Sequence, residues 1–107
     1  MSQAAAVLEN LSNKLTPAVR DNLDAVIGLQ LDDAHYTIDA RKGSGAGLLQ
    51  GAPAVHDLEP RLSIATSSAD FLKLVSGELN PMMAAMSGKL KLTGDMGFAF
   101  KLTSLFG

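Results

Sequence analysis

The chain contains no cysteine and no tryptophan. Without thiols there is no disulfide framework, no thiolate metal site and no cysteine nucleophile. The absence does not indicate a redox compartment. Basic residues are few and dispersed: nine Lys and Arg stand against eleven Asp and Glu, for a net charge of −2. Duplex binding draws most of its strength from clustered cations that release counterions, so nucleic acid is not an expected partner. The same dispersal argues against electrostatic attachment to an anionic membrane.

Long apolar runs are missing too. No stretch approaches the roughly 18 residues needed to cross a bilayer. The N-terminus, Met1-Ser2-Gln3-Ala4-Ala5-Ala6, has no charged segment followed by an apolar core, so no signal peptide is expected. Ser104-Leu105-Phe106-Gly107 is not the peroxisomal S-K-L address. The expected compartment is the cytoplasm. A chain of 107 residues is large enough for one hydrophobic core, and the expectation is a single domain over 1–107.

Hydrophobic periodicity organises that domain. Residues 4 to 14 carry helix formers with Val7, Leu8, Leu11 and Leu15 along one side. Thr16-Pro17 is a helix start, Thr as cap and Pro at the first position, predicting a short helix over 17–23. From Asp24 the period becomes two. Ile27, Leu29 and Leu31 alternate with Val26, Gly28 and Gln30; after a turn at Asp32-Asp33, Ala34, Tyr36 and Ile38 alternate with His35, Thr37 and Asp39. The pattern predicts a β-hairpin with one buried face.

Gly43-Ser44-Gly45-Ala46-Gly47 then loosens the chain before a weak strand at Leu48-Leu49. This G-x-G-x-G lacks the following helix start that phosphate binding needs. Residues 61–66 alternate again with Leu62 and Ile64 inward. Ser67-Ser68-Ala69-Asp70 has the form of a capping box, followed by the stripe Phe71, Leu72, Leu74, Val75 and a stop at Gly77. Asn80-Pro81 opens another helix, whose stripe reads Leu79, Met82, Met83, Met86 and which Gly88 closes. Leu90 and Leu92 against Lys89 and Lys91 predict a strand with one dry face. The last segment fits two patterns: Met96, Phe98, Phe100 and Leu102 alternate as a strand, whereas Phe98, Leu102 and Leu105 fit a helix capped by Asp95.

Four of the five methionines and two of the four phenylalanines lie between Asn80 and Leu102. Methionine is unbranched and polarizable, so such a surface can repack around ligands of different shape. At helical spacing it is equally consistent with an ordinary core stripe. His35 at an outward strand position and His56 in a loop, with Asp57 beside it, form no G-x-S-x-G or metal-ligand pattern. No catalytic residue, metal ligand or cofactor is expected.

One stretch carries more than periodicity. Residues 68–102, SADFLKLVSGELNPMMAAMSGKLKLTGDMGFAFKL, strongly resemble the hallmark of the sterol carrier protein 2 family: D-F-x-x-L-x-x-G-x-x-N-P, then G-K-L-K, then G-D-M-G, then K-L. The matching positions are Asp70, Phe71, Leu74, Gly77, Asn80, Pro81, Gly88, Lys89, Leu90, Lys91, Gly94, Asp95, Met96, Gly97, Lys101 and Leu102. The resemblance implies an α+β fold, a five-stranded, mostly antiparallel twisted sheet with helices packed on one face, enclosing an apolar tunnel. It also implies that the final segment is a helix. The function implied is non-catalytic intracellular binding and transfer of lipids: fatty acids, fatty acyl-CoA, sterol-like or isoprenoid molecules.

On that reading Phe71, Val75, Met82, Met83 and Met86 form a movable wall. Ile27, Leu29, Ile64, Leu90 and Leu92 form the floor or core, and Met96, Phe98, Leu102 and Leu105 belong to a closing helix. Lys89, Lys91 and Lys101 are candidates for an acyl-CoA phosphate or a fatty carboxylate. The alternative is an accessory or dimerisation module that docks on, or presents lipid to, a lipid-modifying enzyme. Transient membrane contact and a homodimer are both compatible with the sequence.

Overall fold

The computed structural model describes residues 16–43 and 47–106 together with positions 9 and 13, and side chains as far as Leu102. The helix expected over 4–14, with Val7, Leu8, Leu11 and Leu15, lies outside the described residues except at Glu9 and Asn13, which are helical. Helix α1, Pro17–Leu23, starts where Thr16 Oγ1 accepts the Val19 amide at 3.2 Å. It stops at Asp24, whose left-handed backbone (φ 44°) turns its amide back to the Arg20 carbonyl.

Strands β1, Ala25–Leu31, and β2, Ala34–Ala40, form the expected hairpin, paired from Ala25↔Ala40 to Leu31↔Ala34 around a two-residue turn. Asp32 takes the positive φ (56°) that tight hairpin turns require. The expectation of a single buried face is corrected. Val26, Thr37 and Asp39, on the opposite face from Ile27, Leu29 and Ile38, are buried as well. The connection after β3, Gly47–Gln50, crosses that second face with a 3-10 turn at Pro53–His56. Gly28 lets it sit close, because a Cβ there would lie 3.3 Å from Pro53 Cγ. The Thr37 hydroxyl donates to the Gly51 carbonyl at 2.8 Å, and Asp39 is paired with Arg41 at 2.8 Å. Buried polar groups on this face are thereby satisfied.

That crossover delivers β4, Leu62–Thr66, parallel to β1, and β5, Leu90–Gly94, pairs antiparallel with β4. The sheet order is β3-β2-β1-β4-β5, antiparallel apart from the β1–β4 pair. Between β4 and β5 run α2, Ser68–Ser76, and α3, Pro81–Met86; after β5 comes α4, Met96–Phe106. The last segment is thus a helix, and Asp95 Oδ1 accepts the Phe98 amide at 3.0 Å as its cap. A strand there would have used Phe98 and Phe100 on the same face; in the helix Phe98, Ala99 and Leu102 are buried and Phe100 is exposed.

The main core joins one face of the sheet (Ile27, Leu29, Leu31, Tyr36, Ile38, Leu62) to Leu23 of α1, Phe71 and Val75 of α2, and Phe98, Ala99 and Leu102 of α4. A smaller cluster of Leu74, Ala84 and Leu90 anchors α3.

Candidate functional site

Each helix on the inner face meets the sheet with its own local chemistry. Ser67 Oγ accepts the Asp70 amide at 3.0 Å and starts α2; Gly77, at φ 85°, ends it after Phe71, Leu74 and Val75 have been turned inward. Asn80 Oδ1 accepts the amides of Met82 (2.9 Å) and Met83 (3.3 Å), satisfying two of the donors that a helix start leaves open. At the other end Ser87 closes α3, and Gly88, at φ 81°, lets the Lys89 amide return to the Ala84 carbonyl at 2.9 Å.

Between these helices and the sheet lies a cavity of about 60 Å³. Its wall is Leu29, Ile38, Leu62, Ile64, Leu90 and Leu92 from the sheet, Phe71, Leu74 and Val75 from α2, Pro81 from α3, and Ala99 and Leu102 from α4. Every one of these side chains is apolar, so the space offers a ligand no hydrogen bond and favours hydrocarbon. A second space of about 120 Å³ adjoins it, lined by Pro81, Met82, Ala85, Met86, Leu92, Met96, Ala99 and Phe100. The two share Pro81, Leu92 and Ala99. A cavity near 150 Å³ accommodates benzene, so the space as it stands is too small for a long alkyl chain. The apolar space is thus a narrow cavity with an adjoining cleft, and the cleft is bordered by the exposed side chains of Met82, Met86, Met96 and Phe100.

The joint between β5 and α4 is built differently. Gly94, at φ 119°, comes so close to β4 that a Cβ would sit 2.6 Å from the Arg61 carbonyl oxygen. The Asp95 amide donates to that same carbonyl, the Asp95 carboxylate accepts from Arg61 Nε at 3.0 Å, and the Arg61 guanidinium lies 4.7 Å over the Phe98 ring. The Phe98 amide, and after it the Arg61 guanidinium, holds the Asp95 carboxyl below the ordinary aspartate range. The G-D-M-G stretch is therefore a structural clasp.

A sequence profile of the SCP-2 sterol transfer family matches residues 5–107. The chain belongs to that family. Hydroxysteroid dehydrogenase-like protein 2 of Xenopus tropicalis is 37% identical over 76 residues, which are 71% of this chain but 17% of that protein. This SCP-2 domain thus spans less than a fifth of that relative's length. Among solved structures, the sterol carrier protein domain 2 of Helicoverpa armigera superposes with a TM-score of 0.78 at 25% identity, covering 96% of this chain and 84% of its own. Sterol carrier protein 2 of Aedes aegypti, solved in complex with palmitate, has a TM-score of 0.75 at 16% identity and covers 100% of this chain and 97% of its own.

Within the SCP-2 fold, Leu29, Ile64, Phe71, Val75, Leu90, Leu92 and Leu102, among the residues named from the sequence, line the cavity. Ile27 and Phe98 are buried core residues that do not border it. The reading of Leu79, Met82, Met83 and Met86 as the apolar stripe of α3 is corrected for the three methionines; Leu79 precedes the helix and is partly buried against Leu74, Ala84 and Leu90. Ala84 is the buried residue, at 0% exposure, while Met82, Met83 and Met86 are 49%, 66% and 86% exposed. The helix is only six residues long and begins at Pro81, so its approach to the sheet is set by Pro81 and the small Ala84. Met82, Met86 and Met96 border the outer cleft; Met83 borders neither space. The Leu105 side chain lies outside the described residues.

Lys101 Nζ donates to the Asn22 carbonyl at 2.7 Å, tying α4 to α1, and Lys91 faces the side of the sheet opposite the cavity. Neither side chain points at the apolar space. Sequence reasoning missed Ile38, Leu62, Leu74, Pro81 and Ala99 as lining residues. The period places Ile38, Leu62 and Leu74 inward, but nothing in it separates lining from core. Ala99 carries no signal until the last segment is known to be a helix. Among the described residues no group of three or more His, Asp or Glu side chains converges as a metal site.

Proposed function

We propose that this domain binds one single-chain lipid, such as a fatty acid, between its sheet and helices, and releases it again without chemical change. The observation that carries the reading is the uniformly apolar wall of the cavity, three of whose residues also border the outer cleft. The palmitate complex of the Aedes aegypti protein, which shares the fold, supports it. Since the present space is too small, entry of an alkyl chain displaces α3, a six-residue helix that meets the sheet through Pro81 and the small Ala84.

Burying a sixteen-carbon chain contributes about 12 kcal/mol gross relative to water, from which association and ordering remove several kcal/mol. A bilayer offers the chain an equally apolar environment, so the balance between protein and membrane is close and the lipid is exchangeable. Lining groups that are all apolar and partly deformable discriminate poorly between chains differing by one methylene.

Ala99 is the test. It is buried and borders both spaces, so Ala99→Leu inserts three carbons at their junction. Titration with a fluorescent fatty acid is expected to show saturable uptake by the wild type and uptake at least about tenfold weaker in the variant, a loss of ~1.4 kcal/mol or more. Equal uptake by both, with unchanged thermal stability, places the ligand elsewhere. A second reading, that the domain presents lipid to a joined or associated enzyme, is favoured by the short share of the Xenopus relative that it covers. Both readings use the same cavity.

A further inference from the structure

We propose that helix α3 and the first turn of α4 form a bilayer-docking surface, the methionines bedding into the acyl and headgroup boundary so that the cavity's outer cleft opens directly onto lipid. The purpose of such a surface rests on the lipid-binding reading above; its chemistry does not. Among the described residues, the large apolar side chains left exposed are Met82, Met83, Met86, Met96, Phe100 and Val55, and all but Val55 belong to this end. Exposed apolar patches of this kind mark interaction surfaces.

The cleft and the inner cavity are neighbours. Met82, Met86 and Met96 border the cleft, and the cleft shares Pro81, Leu92 and Ala99 with the inner cavity. An alkyl chain passing from a bilayer through that cleft would meet no polar side chain.

The size and charge of the patch select its partner. Six residues of helix extend about 9 Å, so with the adjoining turn the footprint is on the order of 300 Å². A stable dimer needs roughly 800 Å² from each copy. A bilayer conforms to whatever enters it and sets no such minimum. Methionine, flexible and polarizable, suits a fluid partner better than a fixed one. Helix α3 carries no charged residue, and its flanks carry one of each sign, Glu78 before it and Lys89 after it, both exposed. Docking by apolar insertion, little affected by salt, follows from that balance.

Met83 separates this proposal from the binding reading, because it is exposed yet borders neither the cavity nor the cleft. Wild type and Met83→Glu are compared in two assays: co-sedimentation with phosphatidylcholine vesicles at low and high salt, and titration with a fluorescent fatty acid in vesicle-free buffer. The wild type is expected to co-sediment at both salt concentrations. Met83→Glu is expected to need at least tenfold more lipid for the same bound fraction, with an unchanged fatty-acid titration. Equal co-sedimentation of the two proteins overturns the proposal, as does a wild type that takes up fatty acid but never sediments with vesicles. A solution dimer that Met83→Glu dissociates, with no vesicle binding, also overturns it in favour of a second copy. Vesicle binding lost in Met83→Glu, with no fatty-acid uptake by either protein, supports the docking surface and refutes the cavity reading instead.

Discussion

The clasp between β5 and α4 and the short helix α3 draw on the same kinds of residue: a glycine at positive φ, a polar cap, and large apolar side chains with methionine among them. They produce opposite mechanical results. At the clasp, Gly94 lies against the Arg61 carbonyl, Asp95 caps α4 while binding Arg61, and Arg61 covers Phe98, which is itself buried. Four interactions overlap on the same few atoms. In α3 the Asn80 cap, the return of the Lys89 amide to Ala84, and the contacts of Pro81 and Ala84 fall at separate positions along a six-residue helix, and its methionines are exposed. Apolar content does not distinguish a rigid region from a yielding one; the difference lies in how many independent contacts share one position.

The comparison breaks most visibly at Gly94. An alanine there adopts a left-handed backbone that costs about 1–3 kcal/mol and drives its Cβ against the Arg61 carbonyl. Gly94→Ala is expected to lose ~3 kcal/mol or more, lowering the thermal midpoint by over about 10 °C. A midpoint within a few degrees of wild type would show that the clasp yields as readily as α3.

Asp95 gives a pH signature. Its folded carboxyl titrates below the ordinary aspartate value, so its contribution to stability is fully present above about pH 4 and is lost as pH falls through the folded value. Asparagine still caps the helix but carries no charge for Arg61. Asp95→Asn is expected to be less stable than wild type at pH 7 and indistinguishable from it near pH 2, measured by denaturant unfolding at both. A constant gap across that range would remove the charge from the account.

On the α3 side, Asn80→Ala removes the acceptor for the Met82 and Met83 amides. The expected cost is about 1 kcal/mol, local to α3, so amide exchange in α3 accelerates roughly fivefold while the clasp amides exchange as before. Uniform acceleration across the domain would mean that α3 opens only with global unfolding. The smallest effect is expected at Met83: Met83→Ala changes stability by no more than about 0.5 kcal/mol in thermal denaturation, because that side chain is largely exposed.

Period and punctuation in the sequence were sufficient for most of the scaffold. Alternation from Ile27 to Ile38 marked the hairpin, Thr16-Pro17, Ser67 and Asn80-Pro81 marked helix starts, and Leu90 and Leu92 marked a strand with one dry face, because these signals arise from neighbours along the chain. The final helix was ambiguous by period and legible only through the family resemblance, since Phe98, Phe100 and Leu102 satisfy both spacings. The second buried face of the hairpin was not legible, because Thr37 and Asp39 read as solvent-facing until the 3-10 turn is laid over them.

What the amino-acid order determined alone is therefore the set of elements, their caps, and an apolar inner face. Only the tertiary structure decided which apolar residues surround empty space and which are packed solid, and that the methionines of α3 face outward while Ala84 faces in. Helical spacing specifies which side chains share a face of a helix. Which face meets the sheet depends on how closely the whole backbone can approach it, and here a proline and a small alanine came closer than three methionines could.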